Sequence, residues 1–221
     1  MSTPAAVLWD LDGTLVDTEP LWMAEEAAVA AEHGVEWTEQ DGLELVGNAL
    51  LDSGRILQRK LSSPLTPEEI VDRLVVRLAD SLRGDIPWRP GLPALVEEVA
   101  TAGIPQALVT MSYAQIAAPV AEVLPFDAVV TGDVVARGKP DPEPYLEAAR
   151  RLGVDPRDCL AVEDSPTGAA SANAAGCVVL VVPHLVAVPL TPRRVVRKGL
   201  EVLDATELFD LWASRSADRL R

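Results

Sequence analysis

Val7-Leu8-Trp9-Asp10-Leu11-Asp12-Gly13-Thr14-Leu15 is an apolar run that stops on two carboxylates one residue apart and a glycine suited to a turn. The run from Ala5 to Trp9 reads as a strand buried on both faces, so Asp10 and Asp12 stand where that strand ends. In an open parallel sheet such ends meet at a crevice, and functional groups gather there.

Similar short runs recur at Pro105 to Val109, Ala128 to Thr131, Leu160 to Val162 and Val178 to Val182, mostly separated by helical patterns. The alternation predicts an α/β fold: a doubly wound parallel sheet with helices on both faces. Asp141-Pro142, Ser165-Pro166 and Thr66-Pro67 place a capping oxygen before a proline, and Gly34, Gly103, Gly153 and Gly176 supply stops. From about Thr18 to Trp88 the alternation fails and only helical periodicity remains. Residues 18–88 therefore read as an inserted helical domain, with 1–17 and 89–221 forming the core. Its clearest helix opens with the capping box Thr66-Pro67-Glu68-Glu69 and carries Ile70, Leu74, Leu78 and Leu82 as an apolar stripe, with Glu69 and Arg73 spaced as an i,i+4 pair. Both crossings between core and insertion lie beside Asp10 and Asp12, the return being marked by Trp88-Arg89-Pro90-Gly91.

The chain has 221 residues, 48% of them hydrophobic, and a formal charge of −15. That charge has the wrong sign for a nucleic-acid partner. The longest apolar run, Cys177 to Val182, is far short of a membrane span, and Met1 to Pro4 has no secretory pattern, so a cytoplasmic protein is expected, and a monomer. Arg193, Arg194, Arg197 and Lys198 are expected at the surface, and Cys159 and Cys177 in the core. His33 and His184 are too isolated for a histidine metal site or a Ser-His-Asp triad, so a metal here would be held by carboxylates.

Thr110 follows the second strand, and Glu163 with Asp164 the fourth. Each has an ordinary reading as a strand end or a helix cap. Gathered at one sheet edge, the carboxylates repel one another unless protonated or met by a cation, and all-oxygen ligands suit magnesium. Gly138-Lys139-Pro140-Asp141-Pro142 follows the third strand and brings in Lys139, one of three lysines in the chain, as a fixed cation for an anionic substrate.

Asp10-Leu11-Asp12-Gly13-Thr14-Leu15-Val16-Asp17-Thr18-Glu19-Pro20, Thr110, Gly138-Lys139-Pro140 and Glu163-Asp164-Ser165 stand in the order and spacing of four family motifs. From Val7 to about Val182 the chain resembles the haloacid dehalogenase superfamily, in the branch with a helical cap between the first and second motifs. Met111 within the second motif and Trp9 before the first carboxylate depart from the common pattern. The resemblance implies a phosphatase acting on a small phosphorylated metabolite, with Asp10 as nucleophile and Asp12 as general acid and then base. It implies Mg2+ on the Asp10 carboxylate, the Asp12 carbonyl and Asp164, with Glu163 as a further or water-mediated ligand. Thr110, Lys139 and the amides of Leu11 and Met111 would hold phosphoryl oxygens, and Trp22 and Asn48 are candidate contacts to the leaving group.

Within that superfamily dehalogenases and phosphonatases lack an aspartate matching Asp12, which favours phosphoester cleavage. A phosphosugar mutase of the beta-phosphoglucomutase type is the nearer alternative. It needs cap groups for a second phosphate, and here Leu50 and Trp22 stand where that family has arginine and histidine, leaving Arg55, Arg59 or Lys60 to substitute. A non-catalytic phosphate-binding protein is the third reading, although no motif residue is missing.

Overall fold

The computed structural model describes residues 2–45, 50–191, 193–197 and 203–216. Strands β1 (Ala6–Trp9), β2 (Gln106–Val109), β3 (Ala128–Val130), β4 (Cys159–Glu163), β5 (Val178–Val181) and β6 (Arg194–Val196) form one sheet, ordered β3-β2-β1-β4-β5-β6 with every pairing parallel. The chain winds outward from β1 through β2 to β3, then outward on the other side from β4 to β6. The winding direction therefore switches between the neighbours β1 and β4, which is where such sheets open a crevice.

Val7 and Trp9 of β1 face one apolar cluster, with α5 (Leu92–Thr101), α6 (Ala114–Ala121) and α9 (Ala205–Ser216). Ala6 and Leu8 face a second, with α7 (Glu143–Leu152) and α8 (Pro166–Ala175). Burial on both faces is why the strand sequences run apolar instead of alternating. Trp9 brings an indole N–H into this interior, and it donates to Gln106 Oε1 at 2.8 Å while Gln106 Nε2 donates to the Val96 carbonyl at 3.0 Å. The departure at Trp9 is thus matched by a buried acceptor on the neighbouring strand.

Between β1 and α5 the chain forms α1 (Glu19–Glu32), α2 (Glu39–Leu45), α3 (Leu50–Leu61) and α4 (Pro67–Gly84), a run of helices that contributes no strand to the sheet among the described residues. The Thr66 capping box is formed: Thr66 Oγ1 accepts from Glu69 N at 3.2 Å and Glu69 Oε2 from Thr66 N at 2.8 Å. Glu69 is committed to the cap, so Arg73 pairs with Glu32 of α1 instead, at 3.4 Å. The α4 stripe is divided. Ile70 and Leu74 join Val29, Ala30, Leu57 and Leu61 inside the insertion, whereas Val71, Val75, Leu78 and Leu82 enter the cluster under α6 and the sheet. The two crossings are tied together by Asp17 N to Pro87 O and Arg89 N to Leu15 O, both 2.9 Å, and His184 reaches Asp17 at 3.1 Å.

The arginine-rich segment corrects one expectation. Arg194 is buried and begins β6, which pairs with β5; its guanidinium donates to Asn173 Oδ1 at 2.5 Å and to the Pro189 carbonyl at 3.0 Å. Arg193 and Arg197 are half-buried, Arg193 on the Gly176 carbonyl at 2.5 Å, and Lys198 lies outside the described residues. Two valines flanked by arginines give too short a signal to reveal an edge strand. Among the described residues no helix is long and apolar enough to cross a membrane.

Candidate active site

The parallel pairing of β1 with β2 and β4 brings the residues after these strands to one edge. Asp10 is anchored there by its N–H on the Val162 carbonyl (3.0 Å), and Thr110 by its N–H on the Val130 carbonyl (2.9 Å). The chain turns at Gly13 with φ of 79°, and a Cβ there would overlap the Asp164 carboxylate. Glycine is required on both counts, and the turn brings β1's loop against the loop after β4.

Lys139 reaches into this edge from the loop after β3 and spends all three donors: on Asp10 Oδ1 (2.7 Å), Glu163 Oε1 (2.7 Å) and the Val109 carbonyl (2.9 Å). Burial works against its charge, but Asp10 and Glu163 more than compensate and hold the ammonium firmly protonated. Glu163 is fully buried; its Oε1 also accepts from Tyr145 OH at 2.7 Å and its Oε2 from Ser165 Oγ at 3.1 Å. Space for that carboxylate exists because residue 168, in the first turn of α8, has no Cβ.

Asp12 is ringed by hydroxyls. Thr18 Oγ1 donates to Oδ1 at 2.8 Å, and Thr110 Oγ1 and Ser112 Oγ donate to Oδ2 at 2.9 and 2.8 Å. Thr110 also accepts from Ser112 N at 2.9 Å, so its side chain here serves Asp12 and its own loop. Met111 does more than the sequence suggests: its Sδ accepts the Lys139 N–H at 3.3 Å and lies against Gly138, joining the second-strand loop to the lysine loop.

Asp10 Oδ2 is buried without a hydrogen-bond partner. Burial first, then Glu163, raise the Asp10 carboxyl from 3.8 to about 7, against the pull of Lys139. Asp164 rises to about 9 through burial, then the charges of Asp10 and Glu163. Oxygen atoms of Asp10, Glu163 and Asp164 lie within 4.8 Å of one another. An orphaned carboxylate oxygen among carboxyls that resist ionising fits a hard divalent cation, which would supply the missing positive charge.

Asp10, Asp12, Thr110, Lys139, Glu163 and Asp164 are thus brought together. Trp22 is half-buried between the sheet cluster and that of the insertion, and Asn48 lies outside the described residues. Thr18, Ser112 and Tyr145 were not assigned from sequence. Tyr145 could have been flagged as an aromatic in the first turn of the helix that follows the lysine loop, and Thr18 as a hydroxyl opening the first helix of the insertion.

Residues 4–176 match the model of the haloacid dehalogenase-like hydrolases. The chain belongs to this family. Hexitol phosphatase B of Escherichia coli is 31% identical over 83% of this chain and 86% of its own length. The bifunctional riboflavin kinase/FMN phosphatase of Arabidopsis thaliana is 31% identical over 82% of this chain, which spans only 49% of that longer protein. Among solved structures, CbbY from Rhodobacter sphaeroides in complex with phosphate is 27% identical and superimposes with a TM-score of 0.79, covering 94% of this chain and 100% of its own.

Proposed function

We propose that this hydrolase is a Mg2+-dependent phosphatase that cleaves a small phosphomonoester, of the sugar- or polyol-phosphate kind, through an aspartyl-phosphate on Asp10. The observation that carries the reading is the state of Asp10: one oxygen is held by Lys139, the other is buried with no partner, and Asp164 and Asp12 stand beside it. The hexitol phosphatases and the phosphate complex of CbbY among the similar proteins support the substrate class.

An oxygen of Asp10 attacks phosphorus to form the aspartyl-phosphate, and the bond from phosphorus to the leaving-group oxygen breaks as that leaving oxygen takes a proton from Asp12. Water then gives a proton to Asp12 and attacks the aspartyl-phosphate, releasing phosphate and restoring Asp10. Thr18, Thr110 and Ser112 hold the Asp12 carboxyl in place, while Lys139 and the amides of Leu11 and Met111 take the charge of the phosphoryl oxygens. Asp10, the Asp12 carbonyl and Asp164 would hold Mg2+, which offsets repulsion between the anionic nucleophile and the phosphate. Glu163, with both oxygens engaged, anchors Lys139 rather than the metal.

Residues 18–88 act as a cap that closes the leaving-group side, with Trp22 a candidate contact to the substrate. Arg55 and Lys60, cations that a mutase could turn to a second phosphate, pair with Asp52 and with Asp41 and Glu44. The same proposal has the chain cytoplasmic and monomeric. Hydrolysis of p-nitrophenyl phosphate, and of a panel of sugar and polyol phosphates, with Mg2+ and with chelator, tests it. Turnover should require the metal and vanish in Asp10→Asn, whose fold should persist; retained activity in that variant would remove Asp10 from the mechanism.

A further inference from the structure

We propose that Tyr145 is a positioning residue for Lys139, holding Glu163 so that the lysine ammonium remains available to a phosphoryl oxygen beside Asp10. The inference rests on the phosphatase reading. Tyr145 lies in the first turn of α7, six residues beyond Lys139, and is completely buried. Its hydroxyl and the Lys139 ammonium donate to the same oxygen, Glu163 Oε1, each at 2.7 Å, and the ammonium stands 5.2 Å from the centre of the Tyr145 ring. Burial, then the Glu163 and Asp10 charges, push the phenol well above its ordinary range, so it remains a neutral donor.

An ammonium has three protons, and all three are placed: on Asp10, Glu163 and the Val109 carbonyl. A phosphoryl oxygen must therefore win one of these donors from its present acceptor. The Val109 carbonyl belongs to β2 and is fixed. Glu163 is pinned by Ser165 and by the close approach of residue 168, so it cannot follow the lysine if the lysine shifts. What remains adjustable is the strength with which Glu163 Oε1 holds Lys139, and a second donor on that oxygen draws on the same negative charge, which weakens the hold. Without the phenol hydroxyl, Oε1 belongs to Lys139 alone and competes harder with the phosphate. The aromatic face adds a contact for the ammonium that does not compete for its protons.

The test uses the full chain with Mg2+ and reads inorganic phosphate binding by calorimetry, together with kcat and KM for p-nitrophenyl phosphate. Tyr145→Phe keeps the ring and removes the hydroxyl; phosphate affinity and kcat/KM should each fall about tenfold. Tyr145→Leu, which also loses the ring, should fall further, and it serves as the second variant if the first folds poorly. A purely structural tyrosine would lower the melting temperature but leave phosphate affinity of the folded protein unchanged. Affinity and kcat/KM within twofold of wild type in either folded variant would overturn the proposal, as would a wild-type protein that binds no phosphate. If wild type binds phosphate but hydrolyses no ester, the phosphatase reading fails, and the calorimetric comparison still decides the role of Tyr145.

Discussion

Replacing Asp164 by asparagine should stabilise the metal-free protein while abolishing its response to Mg2+. The Asp164 carboxyl is carried from 3.8 to about 9 by burial and by the charges of Asp10 and Glu163. A carboxyl whose pKa is higher in the folded than in the unfolded state contributes stability that is intact below about pH 4 and lost as pH rises toward 9. An asparagine of the same shape never takes on that charge. Mg2+ offsets the same cost in wild type: at a hundredfold excess over its Kd it returns about 2.7 kcal/mol, or roughly 5–10 °C in Tm for a chain of this size. Thermal melts at pH 4, 7 and 9, with chelator and with Mg2+, check the whole scheme. With chelator, Asp164→Asn should match wild type at pH 4 and melt higher at pH 7 and 9. The Mg2+ shift of wild type should grow from pH 4 to pH 9 and be absent in the variant. A variant that keeps the shift, or a wild-type shift independent of pH, would refute the assignment of the metal to this carboxylate cluster.

Glu26 of α1 is buried with Oε2 unpartnered, and burial, then Glu19, raise it from 4.5 to about 8 against the Trp37 indole nearby. Glu26→Gln should therefore raise Tm by several degrees at pH 9 and leave it unchanged at pH 4, as read by calorimetric melts, because the ionic cost accrues as pH rises from 4.5 through 8. Gly168→Ala drives a methyl group into a Glu163 carboxylate that three donors already hold in place; kcat/KM should drop at least tenfold, with a loss of about 1–3 kcal/mol in urea unfolding. Thr66→Ala removes the α4 cap and should cost about 1 kcal/mol by the same measurement, with kcat nearly unchanged.

Five strands were legible because each is an apolar run, and the candidate site residues could be picked out because they stand at the ends of those runs. The sixth strand was not. Its valines lie between arginines, and what buries Arg194 is Asn173 and the Pro189 carbonyl, partners that no periodicity announces. The α4 stripe was read correctly as apolar, but that reading did not show that successive turns serve different clusters, since helical spacing gives a face and not its neighbour. At the site, charged residues could be found by type and place. The hydroxyls on Asp12 and the phenol on Glu163 could not, because serine, threonine and tyrosine have many ordinary uses and acquire a role only when folding sets them against a carboxylate. Met111 illustrates the same limit: it stood out as a departure, and only the fold turned it into an acceptor for the Lys139 N–H.

The paired crossings at Leu15 to Asp17 and Pro87 to Arg89 make the insertion resemble a graft on a narrow stem. Its two legs enter and leave the sheet as hydrogen-bonded neighbours, so the stock beneath would need only a short turn to heal if the graft were cut away. Yet Val71, Val75, Leu78 and Leu82 of α4 are wedged into the stock itself. A cut at the stem would therefore strip the stock of four buried side chains, so the graft cannot be lifted away as cleanly as its narrow stem suggests.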